Sequence, residues 1–446
     1  MLLKGINHWI KKMPYEVVQI NTRKPITRIL VVLLLLLAVT WSYFVIRWYM
    51  GNTLAEYFNT TENNLQLAEI ASSLAPADPL THWRLGLVSQ RRLPMDEQAK
   101  AVAEFEKAVS LSPNDYRFWM ALGSAQEQSG NPEKGEQAFR RSITLAPSYA
   151  YPHWHLGNLL LRQARYDEAF TQLRTASEAD PELRPQLFNL IWSVYGSDRE
   201  AMRNALGPLA EPRAQFAIFL LGQKKIDEGL FIWNTLSSDE KKHSNAGDSI
   251  VTALVQELRF HDAMQVWNDI APVSELRAEV DKIFDGSFET NVTYGTNAVF
   301  AWQVQGAPQL QIGIDRTKGH SGSRSLRIVF QVRTKLDAIN ASQLVATSSD
   351  KQYDFECYVR TDKLESGATP RIQIVDAADN SVLATSDQSP NESTDWNRIG
   401  LSFKTGPKTT AIRVKVVRDA CEGEDNTICP IFGGIWYDDF SIKRRD

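Results

Sequence analysis

The chain has 446 residues, 43% hydrophobic and 23% charged, with a formal net charge of −4. That length leaves room for about three structural parts, and the slightly acidic balance argues against a general nucleic-acid role. Three cysteines in so long a chain exclude a fold built on a disulfide framework.

Residues 1–28 carry Lys4, Lys11, Lys12, Arg23, Lys24 and Arg28 against a single acid, Glu16, and read as a short tail. From Ile29 to Ile46 no residue is charged. At ~1.5 Å per residue this run spans roughly 27 Å, enough for a hydrocarbon core. Trp41, Tyr43, Trp48 and Tyr49 gather near its far end, where amphipathic rings settle at the interface. The positive-inside rule predicts a cytoplasmic tail over 1–28, a transmembrane helix over 29–50 and the remainder across the bilayer. In a bacterium this is a single-pass inner-membrane protein with its bulk in the periplasm. A cleaved signal peptide is the competing reading, but the leader is long and Val45-Ile46-Arg47 lacks the small residues of a cleavage site.

Residues 53–75 read as one helix leading into a repeat. Three runs then share a pattern: His82-Trp83-Arg84-Leu85-Gly86, Trp119-Met120-Ala121-Leu122-Gly123 and His153-Trp154-His155-Leu156-Gly157. They are followed by Ala101, Phe105, Ala108 and Pro113; by Gly135, Phe139, Ser142 and Pro147; and by Ala169, Leu173, Ala176 and Pro181. Corresponding members of these sets lie 34 residues apart, with Arg91-Arg92-Leu93-Pro94 as a small insertion in the first unit. This order resembles the tetratricopeptide repeat, a helix–turn–helix unit that stacks into a solenoid. Glycine on the first helix and a small residue on the second allow close approach, and proline closes the unit. Well-formed repeats cover 79–183. Weaker ones extend to 280, where Ile226-Asp227-Glu228-Gly229 and Phe260-His261-Asp262-Ala263 restore the period and offer aspartates as N-caps.

The resemblance implies a concave face made by the first helices, with Trp83, Met120, Trp154 and Asn158 turned toward it as a groove for a partner peptide or helix. Ordinary inter-helix packing is the alternative role for these tryptophans. His153 and His155 are two apart on a helix and face different sides, so neither they nor His82 make a metal site.

Past residue 281 the texture changes to short alternating strands, as in Ser325–Phe330, Tyr353–Arg360, Arg371–Val375 and Ala411–Val417. One wet and one buried face per strand predicts two packed sheets. Phe284-Asp285-Gly286-Ser287-Phe288-Glu289, Trp302, the Gly319–Leu326 stretch, Trp396 with Phe403, and Trp436–Ile442 together resemble carbohydrate-binding-module jelly rolls of the galactose-binding-like type. That resemblance implies a structural Ca²⁺ held by Glu289 and Asp439 with loop carbonyls near Lys318 and Ser321, hard oxygens that suit the ion. Asp438-Asp439 closing a strand in a hydrogen-bonded turn is the alternative. It also implies that Trp302, Tyr353 and Trp396 occupy core positions, which leaves Tyr294, Arg333, Gln343, Tyr358 and Gln373 as glycan-binding candidates. In an oxidising compartment Cys421 and Cys429 should pair around an acidic loop, and Cys357 on a strand is left as a buried thiol.

No glycine-rich phosphate loop, serine elbow, HExxH or Cys-x-x-Cys motif occurs. No acidic pair stands out beyond Asp438 and Asp439, and neighbours on a strand face opposite sides. The expected fold is therefore multidomain, with one transmembrane helix, an all-α solenoid over 53–280 and an all-β jelly-roll sandwich over 281–446. The expected function is a non-enzymatic scaffold that requires no cofactor, binds envelope proteins through the repeats, touches polysaccharide through the sandwich, and serves polysaccharide biosynthesis or export. A pure assembly factor without sugar binding and a glycoside-active enzyme are the alternatives.

Overall fold

The computed structural model describes residues 24–57, 64–92, 95–196, 198–290, 299–307, 310–331, 336–421 and 429–445. The chain divides into two compact units, Met1–Leu183 and Arg184–Asp446.

The first unit is helical. It contains α1 (Pro25–Tyr57), α2 (Leu65–Leu74), α3 (Pro79–Gln90), α4 (Met95–Leu111), α5 (Tyr116–Gln128), α6 (Pro132–Leu145), α7 (Ala150–Arg162) and α8 (Tyr166–Ala179). By length and composition α1 can cross a membrane, and its apolar stretch is exposed. It does not stop where that stretch ends. Gly51 and Ala55, further along the same helix, are buried. A Cβ at Gly51 would lie 2.7 Å from the Ala75 Cβ, so glycine is what lets the chain after α2 approach this closely. Arg47 donates to the Ser73 carbonyl at 2.8 Å, and the Asn52 amide donates to Asp78 at 2.9 Å. The single helix expected over 53–75 is thus replaced by a hairpin in which the end of α1 supplies the first helix and α2 the second.

Three hairpins follow, α3/α4, α5/α6 and α7/α8. In each, a bulky side chain of the second helix fills a notch at a glycine of the first. A Cβ at Gly86 would come within 2.6 Å of the Phe105 ring, one at Gly123 within 2.7 Å of Phe139, and one at Gly157 within 2.6 Å of Leu173. All three partners are fully buried. The insertion of the first repeat is absorbed as extra helix: α4 has 17 residues where α6 and α8 have 14. Successive first helices α3, α5 and α7 touch one another, whereas the second helices meet less closely. The first helices therefore line the inner side of the curve.

The second unit opens with α9 (Arg184–Tyr195), α10 (Arg199–Leu206), α11 (Ala210–Gly222), α12 (Ile226–Asn234), α13 (Ser238–Lys242), α14 (Gly247–Gln256) and α15 (Phe260–Ile270). The repeat turn persists here although its sequence has drifted. Gly130 and Ala164 in the first unit, and Lys224 and Leu258 in the second, all adopt positive φ just past a first helix. The next residue in each case (Asn131, Arg165, Lys225, Arg259) donates five residues back, at 2.9–3.0 Å. This is a Schellman closure, in which orphan carbonyls at a helix end are satisfied by the reversing chain. The expected aspartate N-caps are not formed. Arg165, Lys225 and Arg259 occupy those positions without a side-chain cap. Asp227 and Asp262 fall inside the first helical turn, where both accept from Arg259 and oppose the positive end of the helix dipole.

The remainder of this unit is a sandwich of two five-stranded antiparallel sheets. Its strands are β1 (Gln303–Gln305), β2 (Leu310–Asp315), β3 (Ser325–Phe330), β4 (Asn340–Ala346), β5 (Gln352–Ser366), β6 (Arg371–Asp376), β7 (Val382–Thr385), β8 (Glu392–Lys404), β9 (Ala411–Val417) and β10 (Ile431–Arg445). One sheet runs β1-β4-β9-β6-β7 and the other β2-β3-β10-β5-β8. Strict alternation drives Phe355, Cys357 and Val359 of β5, Ile372 and Ile374 of β6, and Ile412, Val414 and Val416 of β9 into the core between them. Trp302 and Tyr353 are fully buried there. The Tyr353 hydroxyl donates to Asp281 at 2.6 Å. Burial first, then that carboxylate, pushes its pKa up to about 12. Asp281 also accepts from the backbone and hydroxyl of Ser348, so the segment after α15 is tied to the sandwich.

Cys421 and Cys429 form a disulfide, and Cys357 is a buried free thiol. Closing this short loop contributes about 2.5 kcal/mol by the chain-entropy relation. Replacing both residues by serine should lower the urea midpoint of the sandwich accordingly, followed by hydrogen exchange along β10. Unchanged protection there would contradict it.

Candidate functional site

The repeat positions that looked like a groove sit on the inner helices, all of them half-buried. Trp83 lies against Phe118 with centroids 5.7 Å apart, and the guanidiniums of Arg84 and Arg117 stand 5.0 and 5.8 Å from its ring. Its buried indole nitrogen has no hydrogen-bond partner among the described residues. Met120 packs on the Phe139–Leu156 cluster and Trp154 on the Ala150–Leu183 cluster. The Asn158 amide is spent on the Trp154 carbonyl, one turn back, at 2.8 Å. These residues follow one another along one wall rather than converging on a point.

The histidines have a structural task. The ring nitrogen of His82 meets the Pro76 carbonyl at 2.9 Å, and that of His153 the Pro147 carbonyl at 3.0 Å. Trp119 donates to the Pro113 carbonyl at 2.8 Å from the equivalent place. In each repeat a ring N–H six residues on satisfies the carbonyl of the closing proline, and Arg213 does the same for Gly207 at 2.8 Å. The other nitrogen of His82 is held by Glu104 at 2.6 Å and that of His153 by Gln172 at 2.7 Å.

On the sandwich, Gln343, Tyr358 and Gln373 are not brought together, and Tyr294 and Arg333 lie outside the described residues. Gln343 belongs to the interior and cannot meet a ligand. It is fully buried, accepting from the Phe284 N–H at 3.0 Å and donating to the Phe284 carbonyl at 2.7 Å. Gln373 alternates with core residues Ile372 and Ile374, so it lies on the outer face of the β1-β4-β9-β6-β7 sheet beside Lys415. Tyr358 stands on the outer face of the opposite sheet. Trp396, expected in the core, is half-exposed, with His320 5.7 Å from it at 66°. His320 itself stacks on Tyr358 at 3.7 Å.

That face holds a groove of about 770 Å³, whose lining includes Asp354, Glu356, Arg398, Gly400, Ser402 and Ser441. A Cβ at Gly400 would find its nearest neighbour, the Arg398 guanidinium, only at 3.7 Å, so glycine leaves the floor low. Tyr358 continues the Asp354–Glu356 row along β5, making one end of the row aromatic. Alternation alone could have identified Asp354, Glu356 and Tyr358 as one outward face, because Phe355, Cys357 and Val359 between them are core. Of the three, only Tyr358 is among the candidates expected from the sequence; Asp354 and Glu356 are two apart and do not stand out as an acidic pair.

Asp354 of this row is not placed to be a general acid. Arg445 grips Asp354 at 2.5 and 2.6 Å and Ser402 donates to it at 2.7 Å; these hydrogen bonds hold its carboxyl below the usual range. Arg398 donates to Glu356 at 2.9 Å. A glycosidase needs one carboxyl raised so that it can give up a proton.

Asp438 and Asp439 do not face opposite ways as simple alternation predicts. Asp439 has φ +50° within a register shift of β10, and both carboxylates reach the same loop. Asp438 accepts the His320 backbone N–H at 2.6 Å, while Asp439 meets the His320 ring at 2.6 Å and the Ser321 hydroxyl. Glu289 accepts the N–H groups of Ser323 and Arg324, both at 2.7 Å. The oxygens expected to hold Ca²⁺ are thus filled by loop donors, and Lys318 O accepts from Ser325. Among the described residues no group of three or more His, Cys, Asp or Glu side chains is arranged to hold a metal. This donor set braces the loop and does not fit an ion that takes about six to eight oxygens.

Stacked helix–turn–helix repeats followed by an antiparallel β-sandwich make this a multidomain protein of the helical-repeat class. Residues 99–150 match the family described as tetratricopeptide repeat. A peroxisomal targeting signal receptor of Saccharomyces cerevisiae is 31% identical over 91 residues, which are 20% of this chain and 14% of the receptor. This chain therefore spans only a small part of that relative. Among solved structures, MamA covers 33% of this chain and 84% of its own at 16% identity and TM-score 0.27. A structure titled "CBM4 structure and function" covers 36% and 99% at 15% identity and TM-score 0.27.

Proposed function

We propose that the protein is a non-enzymatic scaffold. Partner proteins lie along the inner wall of its repeats, glycan lies in the outer groove of its sandwich, and α1 tethers it to a bacterial inner membrane with the bulk in the periplasm. Envelope polysaccharide biosynthesis or export is the setting that would use both surfaces at once. The reading rests on the continuous layer of α3, α5 and α7, which presents half-buried Trp83, Met120 and Trp154 in succession. The groove supports the glycan half, because its lining offers Glu356, Arg398 and Ser402 to sugar hydroxyls, and Trp396, further along the same strand as Arg398, offers a ring on which sugar C–H faces stack.

Affinity electrophoresis of the full chain through gels containing envelope polysaccharide tests that half. Retardation is expected, with Trp396→Ala weakening it by about tenfold, equivalent to about 1.4 kcal/mol. Normal migration in every gel, with partners still crosslinking at position 83, would leave a pure assembly factor in its place.

A further inference from the structure

The end of α2 and the start of α3 are fixed beside the part of α1 that emerges from its apolar stretch. Ser73, Ala75 and Asp78 contact Arg47, Gly51 and Asn52, and no joint intervenes because α1 is a single helix. The hairpins α3/α4, α5/α6 and α7/α8 alternate in direction, so the connections 112–115 and 146–149 fall on the same edge of this unit as 75–78. That edge carries large apolar side chains in the open: Leu111 is 40% exposed, Tyr149 57% and Tyr151 55%. Trp48 and Tyr49, within one turn of Gly51 on α1, are exposed as well.

The acids of the connections 75–78 and 112–115 are already engaged, and Asp180 and Glu182 stand only at the last connection of the unit. Asp78 accepts from Leu80 N–H and Asn52, and Asp115 is paired with Arg117 at 2.6 Å. The opposite edge, at 91–92, 129–131 and 163–165, is built from Arg, Ser, Gly, Asn, Gln and Ala, with Tyr166 the large exposed ring beside it.

We propose that the edge bearing Leu111, Tyr149 and Tyr151 rests on the phospholipid headgroup layer, so that this helical unit lies along the bilayer instead of standing off it. Tyrosine is suited to that depth because its ring is apolar and its hydroxyl stays wet. The proposal depends on reading α1 as a membrane span, and the experiment separates the two claims.

Full-length Leu111→Cys, Tyr151→Cys and, on the far edge, Gln128→Cys carry a fluorophore in vesicles of phosphatidylethanolamine and phosphatidylglycerol doped with headgroup-nitroxide lipid. Cys357 is buried and the other cysteines are paired, so the new thiol takes the label. Emission should be largely lost at 111 and 151 and kept at 128. Emission kept at all three sites in protein that floats with the vesicles would overturn the proposal and leave the anchor standing. Equal loss at all three sites would overturn the edge assignment. Protein that does not float would remove the anchor and the proposal together.

Discussion

Phe139→Ala should destabilise the first helical unit by about 3–5 kcal/mol, the usual cost of emptying a fully buried aromatic site. Phe139 has no exposed surface, and its ring occupies the notch left by the missing side chain of Gly123. Alanine would leave a void floored by glycine, so neither helix has atoms near enough to close it. Phe139→Leu should cost under about 1.5 kcal/mol, within the range of tolerated apolar swaps, because Leu173 fills the matching notch at Gly157. Repeats are stabilised by their neighbours, so the damage should reach α5 and α7 as well as α6. Hydrogen exchange of the full chain in detergent reads this directly, since global unfolding of a multidomain protein is not two-state. Equal protection in the alanine and leucine variants would disprove the notch argument.

The same notch explains why the helical part was legible from sequence. Gly123 and Gly157 face Phe139 and Leu173 at the same spacing, and Gly86 faces Phe105 across the insertion of the first repeat, because backbone approach admits few alternatives. The drifted repeats were harder to read. Their turns survive at Lys224 and Leu258, where, as at Ala164, a non-glycine residue accepts positive φ at a modest local cost, so the backbone keeps its path without a glycine to mark it. Strand alternation correctly predicted two sheets, since a face that must be buried selects every second residue. It failed at Asp438 and Asp439, where a bulge turns neighbours to one side, and at Gln343, a polar residue drawn inward by the unpaired backbone groups of Phe284. The groove on β5 was readable from alternation, yet nothing in composition says that a row of outward polar residues borders a cavity. The run of α1 into the first hairpin was hidden because hydropathy ends at Ile46 while helix propensity does not.

Asp438 gives the second large effect, and its sign is opposite to that of most carboxylates. It is 0% exposed beneath the His320 loop, and burial, opposed by backbone N–H groups, pushes its pKa up to about 6 from 3.8. Between those values the native state holds a proton that the unfolded chain has lost, so stability falls as pH rises through this window. Below about pH 4 the penalty is absent, and above about pH 6 it is fully present, amounting to about 3 kcal/mol at 1.36 kcal/mol per unit. Asp438→Asn removes the charge and keeps the shape. Asparagine has one acceptor oxygen where the carboxylate has two, so one of the N–H donors from His320 and Asp439 loses its partner. That loss costs about 1–3 kcal/mol at every pH. The variant should therefore be the less stable protein at pH 4 and should recover relative to the parent by about 3 kcal/mol on going to pH 7. Urea midpoints of the sandwich, followed by exchange along β3 and β10 at several pH values, give that difference directly. A gap between parent and variant that stays constant from pH 4 to pH 7 would show that Asp438 is ionised in the native state throughout, with the loop donors fully offsetting its burial.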